Sequence, residues 1–280
     1  FLLAEKDEVF SEILLKNLFK QIKFLRNQTN KSLFSKLEKK YGLEESSIKK
    51  IKILRGLILS SICFESQISG FNNYIKILEV ELKKIFNIDG MHESKSPSSH
   101  LEILGDLVTI REAIASKQMK IPNFLDTLIK KAAHSLKFFR TPAGNLAIFN
   151  GSKQETKFLI DKILNQADGK ARGRGPISLS QSGYEKLVCQ GITVFVDTHY
   201  NNKKKSSKAP HAIEVYIGKT RMVGSCGTIY KKDKKWKDSL LSASAHSSLI
   251  IENTNAYYCD EPINLTFNKR YQKNGSEIVF

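Results

Sequence analysis

The chain has 280 residues, of which 41% are hydrophobic, and its 45 Lys and Arg residues against 28 Asp and Glu residues give a formal net charge of +17. This apolar content excludes a disordered chain and is sufficient for one large or two ordinary domains. The basic excess favours polyanionic partners such as nucleic acid, acidic lipid or acidic polysaccharide, although lysines spread over the whole chain also fit a plain compositional bias.

The cysteines and the apolar runs narrow the class of protein further. Neither a CxxC knuckle nor a dense disulfide framework is formed by Cys63, Cys189, Cys226 and Cys259, so we expect free thiols. The apolar run 53–64 is too short to span a membrane, and we expect no transmembrane segment. Because the chain opens with Phe inside a helical pattern and closes on a short strand-like run, we expect it to lack both ends, which leaves its compartment open.

The first half of the chain has a helical period. Apolar residues recur at intervals of three and four from about residue 5 to 140, which predicts amphipathic helices. The segments that carry this pattern are 9–28, 48–66, 71–86, 99–118 and 124–139. Gly42, with serines after it, predicts the end of one helix, and Pro122 predicts the first turn of another.

The period changes after residue 143. Short runs rich in β-branched and aromatic residues predict an antiparallel sheet or sandwich. These runs are 183–190, 192–199, 211–217, 220–226, 247–253 and 262–271. The segment 156–164 is ambiguous, and 167–181 and 200–210 are the predicted loops. We therefore expect a helical domain over residues 1–143 and a β domain over 144–280.

Residues 89–100, DGMHESKSPSSH, stand between two of the predicted helices. Asp89 and Gly90 are typical of a helix end, and Ser96 and Pro97 of the start of the next helix. These capping signals leave two histidines, an acid and a lysine unassigned, namely His92, Glu93, Lys95 and His100. The segment is therefore either a polar loop with incidental histidines or part of a functional site.

Two further histidines lie beside predicted strands. His211 opens one strand, and His246 follows small residues directly before another. If they meet on neighbouring strands, two imidazoles with a sulfur or oxygen ligand suit zinc, and Cys226 or Ser225 is the nearest candidate for that ligand. The spacing equally fits ordinary surface histidines. The sequence contains no GxSxG elbow, Walker loop or HExxH helix.

Several motifs together resemble the bacterial heparinase II/III-like proteins, especially their alphaproteobacterial branch. In chain order they are DGMHESKSPSSHLEILGDL, FFR with GNLAIFNG, SGYEKL with VFVD, and the HA, GSCGT, W and AHSSLIIENTNA series. The resemblance runs from about residue 10 through nearly the whole chain. It implies a multidomain α and β architecture: an incomplete (α/α) toroid of helical hairpins followed by an antiparallel β-sandwich.

Lyases of this family cleave uronate-containing polysaccharides by β-elimination at the cleft between toroid and sandwich. One group neutralises the uronate carboxylate, a base removes the C5 proton, and an acid protonates the leaving glycosidic oxygen. The resemblance thus implies a polysaccharide lyase of a Gram-negative bacterium, in the periplasm or cytoplasm, with no required cofactor. The alternative hypothesis is a non-catalytic or differently catalytic protein that binds an anionic cell-envelope glycan. Nucleic-acid binding through lysines 203–208 is a third and weaker hypothesis.

The family's functional residues carry over in part. His211 and His246 match histidines that look like ligands in members with a structural zinc, and Cys226 stands near the place of the acidic third ligand. Several lyases have a tyrosine directly before the histidine that matches His100, where this chain has Ser99, which has no suitable pKa to replace a phenol. The resemblance implies as catalytic residues His92, Glu93, His100, Tyr184 and His246. The residues it implies for substrate contact are Lys95, Ser99 and Arg140.

Overall fold

The computed structural model describes residues 8–29, 31–171, 173–198, 211–227, 236, 239–240, 242–248, 268–272 and 275–279. The helices in these ranges are α1 (Glu8–Gln28), α2 (Lys31–Cys63), α3 (Phe71–Ile85), α4 (Pro97–Ser116), α5 (Asn123–Phe138) and α6 (Lys157–Asp168). The strands are β1 (Ser178–Leu179), β2 (Tyr184–Cys189), β3 (Ile192–Asp197), β4 (Ile213–Ile217), β5 (Thr220–Val223), β6 (Asn268–Gln272) and β7 (Gly275–Val279). The predicted mixture of helices followed by antiparallel strands is confirmed.

The predicted helices agree with the structure except at Gly42. That glycine was expected to end a helix, but α2 continues through it from Lys31 to Cys63. One interior glycine costs a helix only about 1 kcal/mol relative to alanine. An ion pair of 2.8 Å between Glu45 and Lys49, one turn apart, supports the helix just after it. The glycine signal was therefore too weak to end the helix.

The ambiguous segment after residue 156 forms α6, and its ends have clear causes. The Thr156 side chain accepts a hydrogen bond from the Leu159 N–H at the first turn. Gly169 ends the helix in the left-handed conformation, with a φ of 72°. These caps, together with buried Ile160 and Leu164 on one face, favour a helix over a strand.

The strands β1 to β5 form one antiparallel sheet in sequence order, and β6 pairs with β7. Gln190 and Gly191 both have positive φ, 46° and 83°, as a tight hairpin turn between β2 and β3 requires. The register sets Tyr184 opposite Asp197 at the far end of that pair. The strand predicted at 247–253 falls almost entirely on residues outside the described ranges, as does the predicted loop 200–210.

The chain divides into two compact units. One contains residues 1–85 and 106–126, and the other contains 86–105 and 127–280. This division follows packing, whereas the predicted boundary at residue 143 follows the type of element, so the predicted domains stay a prediction. None of the described helices combines the length and the apolar character that crossing a membrane requires.

Each unit has an apolar core of its own. In the first unit Leu54, Leu57 and Leu78 are fully buried, and Lys50 forms a buried ion pair of 3.2 Å with Glu81. In the second unit, aromatic rings pack on Tyr184, that of Phe139 edge to face and that of Phe149 in a tilted arrangement. The ring centroids of Phe139 and Tyr184 are 4.8 Å apart, and those of Phe149 and Tyr184 are 5.4 Å apart. Tyr184, the first residue of β2, thus packs against Phe139, the residue that directly follows α5.

Candidate functional site

Residues 89–100 are held against the start of β2 by a carboxylate. Asp89 accepts two hydrogen bonds of 2.8 Å from Ser182, one from its backbone N–H and one from its hydroxyl. The same carboxylate accepts a bond of 3.2 Å from the Met91 N–H, and the Asn87 amide donates to the Ser182 hydroxyl at 3.2 Å. Bonds to an ionised acceptor are stronger than neutral ones. This segment is therefore a fixed part of the second unit.

A buried polar network begins at Tyr184 and continues through side chains. The Tyr184 hydroxyl donates to the Lys95 carbonyl at 2.7 Å and accepts from the Asn150 amide at 2.5 Å. That amide also lies 3.3 Å from the Asp197 carboxylate. The His211 ring is hydrogen-bonded to the backbone of Asp197. The structure thus connects Lys95, Tyr184 and His211, which are far apart in sequence.

Asn150 and Asp197 were not among the predicted site residues. Asn150 has a φ of 45°, a left-handed conformation that asparagine tolerates better than most residues, and Gly151 follows it with a φ of 76°. This turn aims the amide at the Tyr184 hydroxyl. The available signal was a polar residue directly after an apolar run, in AIFNG and in VFVD, but it does not show which partners the side chains meet.

His92 and His100 are fully buried and lie beside each other. The Nδ1 atom of His100 accepts from the His92 backbone N–H at 3.2 Å, and its Nε2–H donates to the Ala132 carbonyl at 2.8 Å. Burial lowers the pKa of His100 to about 4, so the ring is neutral near pH 7. His92 Nδ1 accepts from the Ser94 N–H at 3.2 Å. Both rings pack edge-on to Phe86.

Serines surround the first turn of α4. Pro97 begins the helix as predicted, and the Ser96 carbonyl accepts the first helical bond, from His100, at 2.9 Å. The Ser98 N–H, however, is capped by the Ser152 hydroxyl at 3.2 Å. A residue 54 positions along the chain therefore supplies the cap. Ser99, the residue at the expected tyrosine position, is 5% exposed.

The predicted substrate contacts have different environments. The Arg140 guanidinium donates to the Ala171 carbonyl at 3.0 Å and pairs with Asp161 on α6, so it holds the end of α5 against α6. Lys95 is 9% exposed and has a positive φ of 58°. Glu93 is partly exposed. Arg140 and Glu93, the latter a predicted catalytic residue, thus have intermediate exposure, whereas Lys95 and Ser99 are buried.

The predicted zinc ligands lie near the end of the sheet. The Cys226 N–H donates to the Ala245 carbonyl at 3.0 Å, so the backbone of Cys226 lies beside the residue that precedes His246. The ring Nε2 of His246 is hydrogen-bonded to the Leu240 carbonyl at 3.0 Å. Within the described ranges, no group of three His, Cys, Asp or Glu side chains is arranged to hold a metal ion. The described residues thus do not assemble a zinc site, and the structural zinc stays a prediction. Burial lowers the pKa of both His211 and His246.

Comparison with known proteins relates the chain to two groups. No protein-family model matches it. FtsZ-localized protein C of Caulobacter vibrioides is 29% identical over 160 residues, which are 55% of this chain and 27% of that protein. A crystal structure of heparinase III matches 85% of this chain and 46% of its own, with a TM-score of 0.62 and 18% identity.

A second solved structure gives the same result. Heparan sulfate lyase HepC from Pedobacter heparinus matches 74% of this chain and 37% of its own, with a TM-score of 0.59 and 16% identity. The chain therefore spans less than half the length of each protein it matches here. At these identities the likeness concerns the fold, and the chain has a fold like that of the heparinase III lyases.

Proposed function

We propose that this chain is part of a polysaccharide lyase-like protein that cleaves an acidic, uronate-containing polysaccharide by β-elimination. The observation that carries this proposal is the likeness to heparinase III over most of the chain. In the proposal, residues 1–143 belong to an incomplete (α/α) toroid and residues 144–280 to a β-sandwich, with the substrate in the cleft between toroid and sandwich. The net charge of +17 suits a polyanionic substrate.

The reaction needs a base, an acid and a neutralising group. Removal of the C5 proton leaves an electron pair that forms the C4–C5 double bond while the bond from C4 to the glycosidic oxygen breaks. The leaving oxygen takes up a proton, and no water is consumed. Neutralisation of the uronate carboxylate stabilises the negative charge that develops as the proton leaves.

Exposure separates the proposed catalytic residues into two sets. His92, His100 and Tyr184 are fully buried, so we assign them to positioning the floor of the site. Glu93 and His246 are partly exposed, so they are the proposed groups that reach substrate, Glu93 as neutraliser when its carboxyl group carries a proton and His246 in proton transfer. The pKa of His246 is lowered by burial, which favours the neutral imidazole that a base requires.

The test uses the full-length protein and a panel of purified uronate polysaccharides. Elimination produces an unsaturated uronate that absorbs ultraviolet light, so absorbance follows the reaction directly. We expect His246→Ala to abolish the signal and His134→Ala, at an exposed histidine of α5, to leave it unchanged. Full activity in the His246 variant would remove that residue from the mechanism.

The second candidate function is binding of an anionic cell-envelope glycan without elimination. Two observations favour it: Ser99 takes the position of the expected tyrosine, and the neighbouring His100 uses both ring nitrogens in backbone hydrogen bonds. A glycan array read together with product analysis separates the two functions. Tight binding with no product from any bound glycan supports the second function and contradicts the first.

A further inference from the structure

A pocket of about 160 Å³, open to solvent, lies in the second unit beside the β4–β5 hairpin. Its polar lining consists of Thr141, Asn145, Gln154, Tyr216, Lys219 and Arg221. The first three come from the loop between α5 and α6, and the others from β4, its turn and β5. We call this space the hairpin pocket. This volume is below the range of drug-sized ligand sites, so the pocket suits one small ligand unit at most.

A buried carboxylate lies next to the lining of the hairpin pocket. Glu214 is 0% exposed, accepts the Ile148 N–H at 3.1 Å and accepts the Tyr216 hydroxyl at 3.0 Å. Arg221 approaches the same carboxylate at 3.5 Å. Because a buried acid rarely persists without such partners, Glu214 fixes the positions of Tyr216 and Arg221. Burial also raises the pKa of Glu214 to about 7.

The charge and the polar groups of the lining define the ligand. Lys219 and Arg221 are exposed at the hairpin, so together with Glu214 they leave the pocket with a positive charge. Asn145, Gln154 and Thr141 add amides and a hydroxyl that donate and accept hydrogen bonds with neighbouring hydroxyl groups. A ligand with one carboxylate and several hydroxyls satisfies both features, whereas a neutral sugar or a small carboxylate satisfies only one.

We propose that the hairpin pocket binds one acidic sugar residue of a polysaccharide, with Arg221 and Lys219 on its carboxylate and the loop amides on its hydroxyls. The site goes beyond the proposed lyase activity because none of its residues is among those assigned to elimination. It holds a chain whether or not the protein cleaves it. Arginine suits this role because its planar fork matches a carboxylate.

The first test is a calorimetric titration of the full-length protein with glucuronic acid. Glucose serves as the neutral match, and acetate as the carboxylate without hydroxyls. We expect saturable binding of glucuronic acid, and affinities at least about tenfold weaker for glucose and for acetate, the loss expected when one charge-assisted contact is removed. No binding of glucuronic acid, or equal affinity for glucose, would overturn the proposal.

Variants then locate the binding. Lys219→Gln and Arg221→Gln should each weaken glucuronic acid binding about tenfold. Lys162→Gln, at an exposed lysine of α6 outside the pocket lining, should leave it unchanged. Lys219 lies on a turn, so its variant stays informative if Arg221→Gln fails to fold. If Lys219→Gln and a folded Arg221→Gln both bind glucuronic acid with unchanged affinity, the proposed site is wrong. If the wild-type protein binds glucuronic acid but cleaves no polysaccharide, only the lyase proposal is contradicted.

Discussion

The carboxylate of Asp89 accepts both the backbone N–H and the hydroxyl of Ser182, each at 2.8 Å. These residues are 93 positions apart, so one side chain joins the histidine-containing segment to the first long strand of the sheet. Ser182 is 0% exposed, and replacing Asp89 would leave its donors buried without this acceptor. The pair is therefore expected to stabilise the second unit.

Replacement of Asp89 by alanine should lower the free energy of unfolding by about 2–4 kcal/mol, since several hydrogen bonds to a charged acceptor are lost. Denaturant unfolding measures the change. Glu79→Ala, which removes a partly exposed ion pair with Lys83 on α3, should cost no more than about 0.5 kcal/mol. Additive effects of Asp89→Ala and Ser182→Ala in a double-mutant cycle would show that the two residues are not coupled.

Tyr184→Phe removes the hydroxyl that bonds to Lys95 and Asn150. We expect a loss of about 1–3 kcal/mol in unfolding free energy with the aromatic packing retained. As a positioning residue, Tyr184 should affect kcat by less than the loss of His246 does. Tyr74→Phe, which removes an acceptor of Arg26 in the first unit, is the matched control for cleavage. Complete loss of cleavage in a stably folded Tyr184→Phe protein would instead make the phenol a catalytic group.

The buried His100 predicts a loss of stability in acid. Its folded-state pKa of about 4 lies below the ordinary value of 6.5, so its contribution is full above pH 6.5 and is lost as the pH falls towards 4. The expected size is about 3 kcal/mol. His100→Gln should flatten this part of the stability profile, while His134→Gln, at an exposed ring, should keep the slope of the wild type. Equal slopes in all three proteins would contradict a neutral, buried His100.

The buried Glu214 predicts that stability falls as the pH rises, which is the opposite of the pH dependence expected from His100. Its folded-state pKa of about 7 lies above the ordinary value of 4.5, mainly because of burial, so its contribution is full below pH 4.5 and is lost as the pH rises through 7. The groups that face it are the Ile148 N–H, the Tyr216 hydroxyl and the Arg221 guanidinium. Glu214→Gln should therefore gain stability relative to the wild type by about 2–3 kcal/mol between these pH values. A difference in unfolding free energy between Glu214→Gln and the wild type that does not change with pH would contradict the raised pKa of Glu214.

Local signals predicted the elements well. Helical periodicity identified α1, α3, α4 and α5 to within about two residues, because each has one apolar face and clear ends. Gly42 was misleading because a single glycine is a weak signal in a long helix. The α6 segment was ambiguous because its short apolar run fits either period until its caps are seen.

Local sequence patterns do not predict which residues contact each other in the candidate site. The sequence around Asp89 predicts the end of a helix, yet the Asp89 carboxylate accepts hydrogen bonds from Ser182 in a distant part of the chain. His100 was expected to be catalytic, and the structure shows both its ring nitrogens bonded to backbone groups. The sequence gives no signal for Glu214, because a lone acid in a predicted strand indicates neither its burial nor its hydrogen-bond partners. Such features depend on tertiary packing rather than on spacing in sequence.

The most direct test of the proposed lyase function is mass spectrometry of the products formed from a uronate polysaccharide in water enriched in heavy oxygen. Elimination consumes no water, so we predict products that carry an unsaturated uronate at one end and no heavy oxygen acquired in cleavage. Hydrolysis would place heavy oxygen at the new reducing end formed by each cleavage and leave the uronate saturated. Hydrolytic products, or no products from any uronate polysaccharide tested, would contradict the proposal.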